Sequence, residues 1–218
     1  MFFMSEMRIL LTGGVGEYEE KKSRFIATLR PVSTPEEAAS FFDEMKKKYW
    51  DARHNCSACV IGKNNEYSRC SDDGEPSGTA GRPMLEVLTG AEVHNAAVVV
   101  TRYFGGVLLG TGGLVRAYTK AVQEGINNST LAIEREGERI LLGMDYSDVD
   151  RVLNLLKNSG QAIDKSDYGT DVNMELVCAL EKKEALKKAL TELTAGRIFI
   201  EELGKCTFLE SLADDRRI

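Results

Sequence analysis

The run Ala96-Ala97-Val98-Val99-Val100-Thr101-Arg102-Tyr103 constrains the fold more than any other segment of this 218-residue chain. Valine is stiff at χ1 and favours pleated backbone, so the run reads as a buried strand. It delivers the chain into Phe104-Gly105-Gly106-Val107-Leu108-Leu109-Gly110-Thr111-Gly112-Gly113, and a helix is expected over Gly113–Gly125. A helix start leaves unpaired backbone N–H groups and the positive end of the helix dipole, which together favour an anion. Arg102 and Arg116 bracket the loop, and residues 93–123 contain these arginines and Lys120 but no acid, in a chain of net charge −6. Two readings of Gly105, Gly106, Gly110, Gly112 and Gly113 stay open. They bare donors to a phosphate-type anion, or they let the helix approach the strand closely. The loop is neither a dinucleotide fingerprint nor a loop ending in Gly-Lys-Ser/Thr, so both nucleotide-binding readings fit poorly.

Short strands are expected at Arg8–Thr12 and Arg24–Leu29, with glycines and charged residues between them. Thr34-Pro35-Glu36-Glu37 supplies a cap, a proline at the first helical position and a glutamate three residues after the cap. The helix it opens presents Ala38, Phe41, Phe42, Met45 and Tyr49 as one apolar stripe, and Lys46-Lys47-Lys48 complement its C-terminal dipole as solvated charge. His54–Ile61 and Glu66–Ser71 read as paired strands and Pro83–Leu88 as a short helix. Beyond about residue 137 the order becomes βαββαβ: strand Arg139–Tyr146, helix Asp148–Asn158, strands Ala162–Tyr168 and Val172–Leu180, helix Lys182–Leu193 and strand Arg197–Phe208. This is the ferredoxin-like plan of two helices on one face of a four-stranded antiparallel sheet. The boundary falls near residue 134, giving domains 1–134 and 135–218.

A 43% apolar content fills a real core, and no stretch reaches the roughly 18 to 20 apolar residues of a membrane span. The start, from Met1 to Arg8, lacks the basic and apolar regions of a signal peptide. Five cysteines without framework spacing suit reduced thiols, so a cytoplasmic location is expected. The acidic balance argues against tight nonspecific nucleic-acid binding and confines any such site to a local patch.

Two further segments carry chemistry-bearing residues. Cys56-Ser57-Ala58-Cys59 after His54 hints at a metal site, but a strand sends residues three apart to opposite faces and no second Cys-x-x-Cys completes the set, so no metal is expected. His54 and Cys56 on one face remain a possible acid–base or nucleophile pair. In Ser71-Asp72-Asp73-Gly74-Glu75-Pro76-Ser77-Gly78-Thr79-Ala80-Gly81, three carboxylates within four residues require donors, bases or a cation nearby. The competing reading is an Asp-Gly turn followed by helix capping from Ser77 or Thr79.

These segments, with Lys22-Ser23-Arg24-Phe25-Ile26-Ala27, Ala52-Arg53-His54-Asn55-Cys56-Ser57-Ala58 and Leu109-Gly110-Thr111-Gly112-Gly113-Leu114-Val115-Arg116-Ala117-Tyr118, resemble the YigZ/IMPACT family in order over residues 21 to about 120. The second half resembles the small domain that bacterial YigZ-type members add. The resemblance implies a two-domain α+β protein, a ribosomal protein S5 domain 2-like domain followed by a ferredoxin-like domain similar to domain V of elongation factor G. It implies a non-enzymatic regulator of translation that binds the ribosome, RNA or a translation-control protein, and a monomer without cofactor is expected. The face expected to do so is built by Arg53, Arg102, Arg116 and the glycine loop. The alternative is a phosphate-ester or nucleotide-processing enzyme in which Asp72, Asp73 and Glu75 hold a cation or act as acid and base beside His54.

Overall fold

The computed structural model describes residues 8–212, so Met1–Met7, on which most of the signal-peptide reading rests, lie outside the described residues. Close packing divides the chain into two units, the first reaching Ile133 and including the chain again from Ser211, the second Glu134–Glu210. The chain is two-domain α+β, as the resemblance implies.

In the first unit β1 (Arg8–Thr12) is followed by β2 (Val15–Glu20), β3 (Ser23–Pro31), α1 (Pro35–Lys48), β4 (His54–Ile61), β5 (Tyr67–Ser71), α2 (Gly81–Gly90), β6 (Val93–His94), β7 (Ala96–Tyr103) and α3 (Gly110–Asn127). The main sheet has the order β2-β3-β7-β4-β5, with antiparallel neighbours throughout. The valine run is indeed central, and both of its faces are covered. Val98 and Val100 join Cys56, Ala58 and Val60 in a core under α2 and α3, closed by Met84, Leu88 and Tyr118. Ala97 and Val99 join Cys59 and Ile61 against Ala38, Phe41 and Met45 of α1. Cys56 and Cys59 therefore serve different cores, as strand alternation requires.

α1 starts where its cap signal placed it: the Thr34 hydroxyl accepts from the Glu37 amide at 3.2 Å, and the Glu37 carboxylate reaches back to the Ser33 amide at 2.6 Å. β2 was not expected, because Val15-Gly16-Glu17-Tyr18-Glu19-Glu20 reads as a charged connection. As an edge strand it needs little apolar surface, and Gly16 lies so close to α3 that a Cβ there would sit 2.2 Å from the Gly125 nitrogen. A second, smaller pairing places β1 between β6, in parallel, and the first residues of β8 (Thr130–Met144), antiparallel. The Leu212 amide donates to the Leu131 carbonyl at 2.8 Å.

The second unit continues with residues 137–144 of β8, then α4 (Tyr146–Asn158), β9 (Ile163–Tyr168), β10 (Val172–Ala179), α5 (Leu180–Leu193) and β11 (Phe199–Ser211). β10 pairs antiparallel with both β8 and β9, and β11 pairs with β8, which gives the order β11-β8-β10-β9 of the ferredoxin-like plan. Ile140, Leu142, Val152, Leu156, Met174, Leu176, Leu186 and Leu190 form its core. Asp148, 3% exposed, takes a two-pronged contact from Arg197 at 2.8 to 3.1 Å.

Among the described residues no helix is long and apolar enough to cross a membrane.

Candidate functional site

At the end of β7 the register sets Arg102 opposite Phe25 of β3 on one side and His54 of β4 on the other. Its side chain is only 8% exposed and is held by two kinds of contact. Nη1 donates to Glu75 Oε1 at 2.6 Å, and the Glu75 carboxylate is itself 3% exposed. The guanidinium carbon lies 5.5 Å from the centre of the Phe25 ring and 5.6 Å from that of Phe104. Tyr118, packed edge-to-face on Phe25, donates its hydroxyl to the same Glu75 oxygen at 2.8 Å. Nε of Arg102 is buried and has no hydrogen-bond partner in the protein.

The segment that supplies Glu75 is folded by its own carboxylates. Asp72 accepts from the amides of Gly78, Ala80 and Gly81 at 2.8 to 3.0 Å, so it closes the loop and caps α2. Burial opposes its ionisation, yet the amides of Gly78, Gly81 and Ala80 outweigh that cost and hold its pKa below the ordinary aspartate value. Asp73, with φ of 42°, binds Lys46 of α1 at 2.9 Å and the Asn55 amide at 2.8 Å. Lys46 is thus tied to the site as well as sitting at its helix end. The Asp73 carbonyl lies 2.9 Å from His54 Nδ1, and since a carbonyl only accepts, that nitrogen carries a proton. Neither Ser77 nor Thr79 caps α2: the Thr79 hydroxyl donates to the Pro76 carbonyl at 2.7 Å.

This arrangement decides how the three carboxylates can be used. Asp72 and Asp73 fold the loop and Glu75 neutralises a buried arginine. Among the described residues no three His, Cys, Asp or Glu side chains gather as metal ligands would. Cys56 donates to the Asp72 carbonyl at 3.0 Å and lies 3.3 Å from the Tyr118 hydroxyl. Burial pushes its thiol up to about 12, so it is not a nucleophile at neutral pH. The acid–base and cation roles considered for Asp72, Asp73, Glu75 and His54 find no support in these contacts.

A pocket of about 470 Å³ opens above Arg102, walled by Arg53, His54, Glu75, Phe104, Leu108 and the start of α3 at Gly110 and Thr111, among others. Phe104 and Leu108 are 55% and 82% exposed at this site. The helix is entered at Gly110, three residues earlier than Gly113, and Gly110 itself sits at φ of 69°, a left-handed angle that favours glycine. Gly112 and Gly113 therefore lie in its first turn and not in a loop, and Gly110 makes the turn into it. Gly110 lines the pocket with Arg53 and Arg102, whereas Gly112, Gly113 and the exposed Arg116 lie further along α3 and are not among the pocket walls. Gly105 has the packing role: a Cβ there would meet the Lys22 carbonyl carbon at 2.1 Å. Gly106 turns the chain at φ of 87° in open space. The buried Glu75–Arg102–Tyr118 set was not seen in the sequence as a unit, since the three residues are brought together only by the sheet register and by α3.

Residues 21–126 match the family model described as the Impact N-terminal domain, and residues 142–197 match the one described as Domain of unknown function (DUF1949). The IMPACT family member YvyE of Bacillus subtilis is 45% identical over 89% of this chain and 90% of its own length. The chain belongs to the IMPACT family. A second IMPACT family member, YigZ of Escherichia coli, is 36% identical over 83% of this chain and 89% of its own. A crystal structure titled only as that of a hypothetical protein superposes with a TM-score of 0.57 at 33% identity, covering 93% of this chain and 99% of that one. The Arg102–Glu75 pair and its pocket lie wholly within the Impact N-terminal match.

Proposed function

We propose that this protein is a regulator of translation that acts by binding and not by catalysis, working in the cytoplasm as a monomer. It engages the ribosome, RNA or a translation-associated protein through the pocket face of its first unit. The observation that carries this reading is the employment of the polar groups. Asp72, Asp73 and Glu75 are engaged in holding the loop and Arg102, while the rim presents exposed Phe104 and Leu108 beside Arg53. Apolar side chains next to a cation around a preformed recess are recognition chemistry. The translational setting comes from the family resemblance. A net charge of −6 favours a structured contact over general attraction to nucleic acid.

Ribosome co-sedimentation from cell extract, at two salt concentrations and with and without nuclease, tests this. The wild type should sediment with ribosomes or with a translation factor, and Phe104→Ala/Leu108→Ala and Arg53→Ala should sediment less. If neither ribosomes nor any translation protein is enriched, or if the rim variants sediment as well as the wild type, the proposal falls.

A further inference from the structure

Charged and apolar groups are sorted around the pocket, and the sorting describes what fits there. β7 lies between β3 and β4, so the connection that leaves it, residues 104–109, emerges between the β2–β3 turn and the link into β4. On one side Gly105 packs against the Lys22 backbone, which sets exposed Lys21 and Lys22 beside the connection. On the other side stands exposed Arg53. Among the described residues none of these three cations has an ion-pair partner. The buried charges beneath them cancel, because Arg102 and Glu75 face each other at 2.6 Å. Of the acids on the flanking turns, Glu20 and Asp51 accept from the Tyr18 and Tyr103 hydroxyls, and residues 93–123 contain none. In a chain of net charge −6, this face has a positive rim that complements acidic groups.

Between the cations the connection exposes Phe104, Val107 and Leu108, a concentration of large apolar side chains that marks an interaction surface. Phe104 and Leu108 wall the recess of about 470 Å³, whose other apolar groups, Leu109, Leu114 and Pro76, are aliphatic. RNA bases bind such surfaces by stacking on aromatic faces. Here the rings are already engaged: the Arg102 guanidinium lies 5.6 Å from the centre of Phe104, and His54 is held through Nδ1 by the Asp73 carbonyl. An aliphatic recess takes an apolar side chain instead, and pockets of this kind hold the anchors that dominate protein–protein binding. We infer that this face binds a segment of a partner protein in which a bulky apolar side chain is flanked by acidic ones. The anchor enters the recess against Leu108 and Leu114, and the acids meet Arg53 on one side and Lys21 and Lys22 on the other. The inference rests on the reading of this face as a binding surface and narrows its partner to a protein.

A phage library of random dodecapeptides, panned against the immobilised full chain, tests this. The wild type should enrich sequences that place Leu, Ile, Met, Phe or Trp between Asp or Glu. Leu108→Ser should lose the enrichment, and Arg53→Glu should exchange the acids of one flank for Lys or Arg. The enriched sequence, made as a synthetic peptide, should shift the amide resonances of Leu108 and Gly110 in the ¹⁵N-labelled chain. Replacing the acids of one flank by their amides should weaken it roughly tenfold, the size expected for one charge-assisted hydrogen bond. Resonances remote from the pocket should be unchanged in both variants, which separates lost binding from lost folding. The inference is overturned if no peptide is enriched, if the enriched peptides lack acids, or if Leu108→Ser enriches them equally. Oligouridylate shifting these resonances while no peptide does makes the partner RNA, and association of the chain with itself that Leu108→Ser abolishes makes it a second copy; either result also overturns the inference. Panning involves no ribosome, so enrichment without co-sedimentation sinks the translational reading alone, and co-sedimentation without enrichment sinks this inference alone.

Discussion

Replacing Glu75 by glutamine removes one charge from the interior and keeps the shape of the side chain. In the wild type the carboxylate answers Arg102 at 2.6 Å with both side chains at least nine-tenths buried, and it accepts the Tyr118 hydroxyl at 2.8 Å. An amide oxygen can still accept one of these bonds. The guanidinium, though, is then a buried cation with no counter-charge, and stranding one member of a buried ion pair costs about 3–5 kcal/mol. Against the 5–15 kcal/mol of a typical domain, that is a large fraction. With a urea dependence of about 2 kcal/mol/M, the midpoint of the first unit should fall by roughly 1.5–2.5 M. Removing both charges in Glu75→Gln/Arg102→Met should recover most of the loss, because the desolvation of two ions is relieved together. The assay is urea unfolding by circular dichroism of the wild type, both single variants and the double variant, with the transitions of the two units fitted separately. If the double variant is as unstable as the two single losses added together, the pair is not coupled and the argument fails.

The pH dependence follows from Asp72, whose folded pKa lies below its unfolded value. The stability it contributes is fully present above about pH 4 and is lost as pH falls through the lower, folded value, so the melting-temperature gap between wild type and Asp72→Asn should be widest near neutrality and close in acid. A gap that is constant with pH would remove the carboxylate from this account. Gly105→Ala should abolish soluble folded protein, because its Cβ would lie 2.1 Å from the Lys22 backbone. Gly112→Ala, whose Cβ meets only the Arg116 side chain at 3.7 Å, should raise stability by up to about 1 kcal/mol. Thermal melts of both variants check this contrast. A thiol reagent at pH 8 should modify exposed Cys70 within minutes and spare Cys56 until urea is added, as peptide mass mapping would read directly.

The parts of this fold that were legible in the sequence are those written in local chemistry. The Thr34-Pro35 helix start, the valine strand and the alternation that separates Cys56 from Cys59 each depend on residues a few positions apart. The ferredoxin-like order could also be read, because helix-ending Gly160 and Gly196 punctuate it. β2 was missed because an edge strand can be polar on nearly every residue. The site was half legible. Asp72, Asp73 and Glu75 stood out as a cluster needing partners, but those partners lie at Gly78–Gly81, Lys46 and Arg102, and only the folded register brings the last two near. The arginines were expected to act alike, yet Arg102 is spent on a buried carboxylate while Arg53 stays at the rim. Nothing in the spacing of either residue distinguishes those fates.

The pairing of β1 has a consequence for how the chain is made. Its neighbours in the small pairing, Val93–His94 and residues 130–133, are encoded roughly 80 and 120 positions downstream. At synthesis rates of about 5–20 residues per second, Ile9 and Leu10 are polymerised some 6 to 24 seconds before the second of those neighbours. From its emergence until then, β1 is an apolar strand without its partners. It is a foothold for a chaperone, and a reason for this unit to complete its folding late in its own translation.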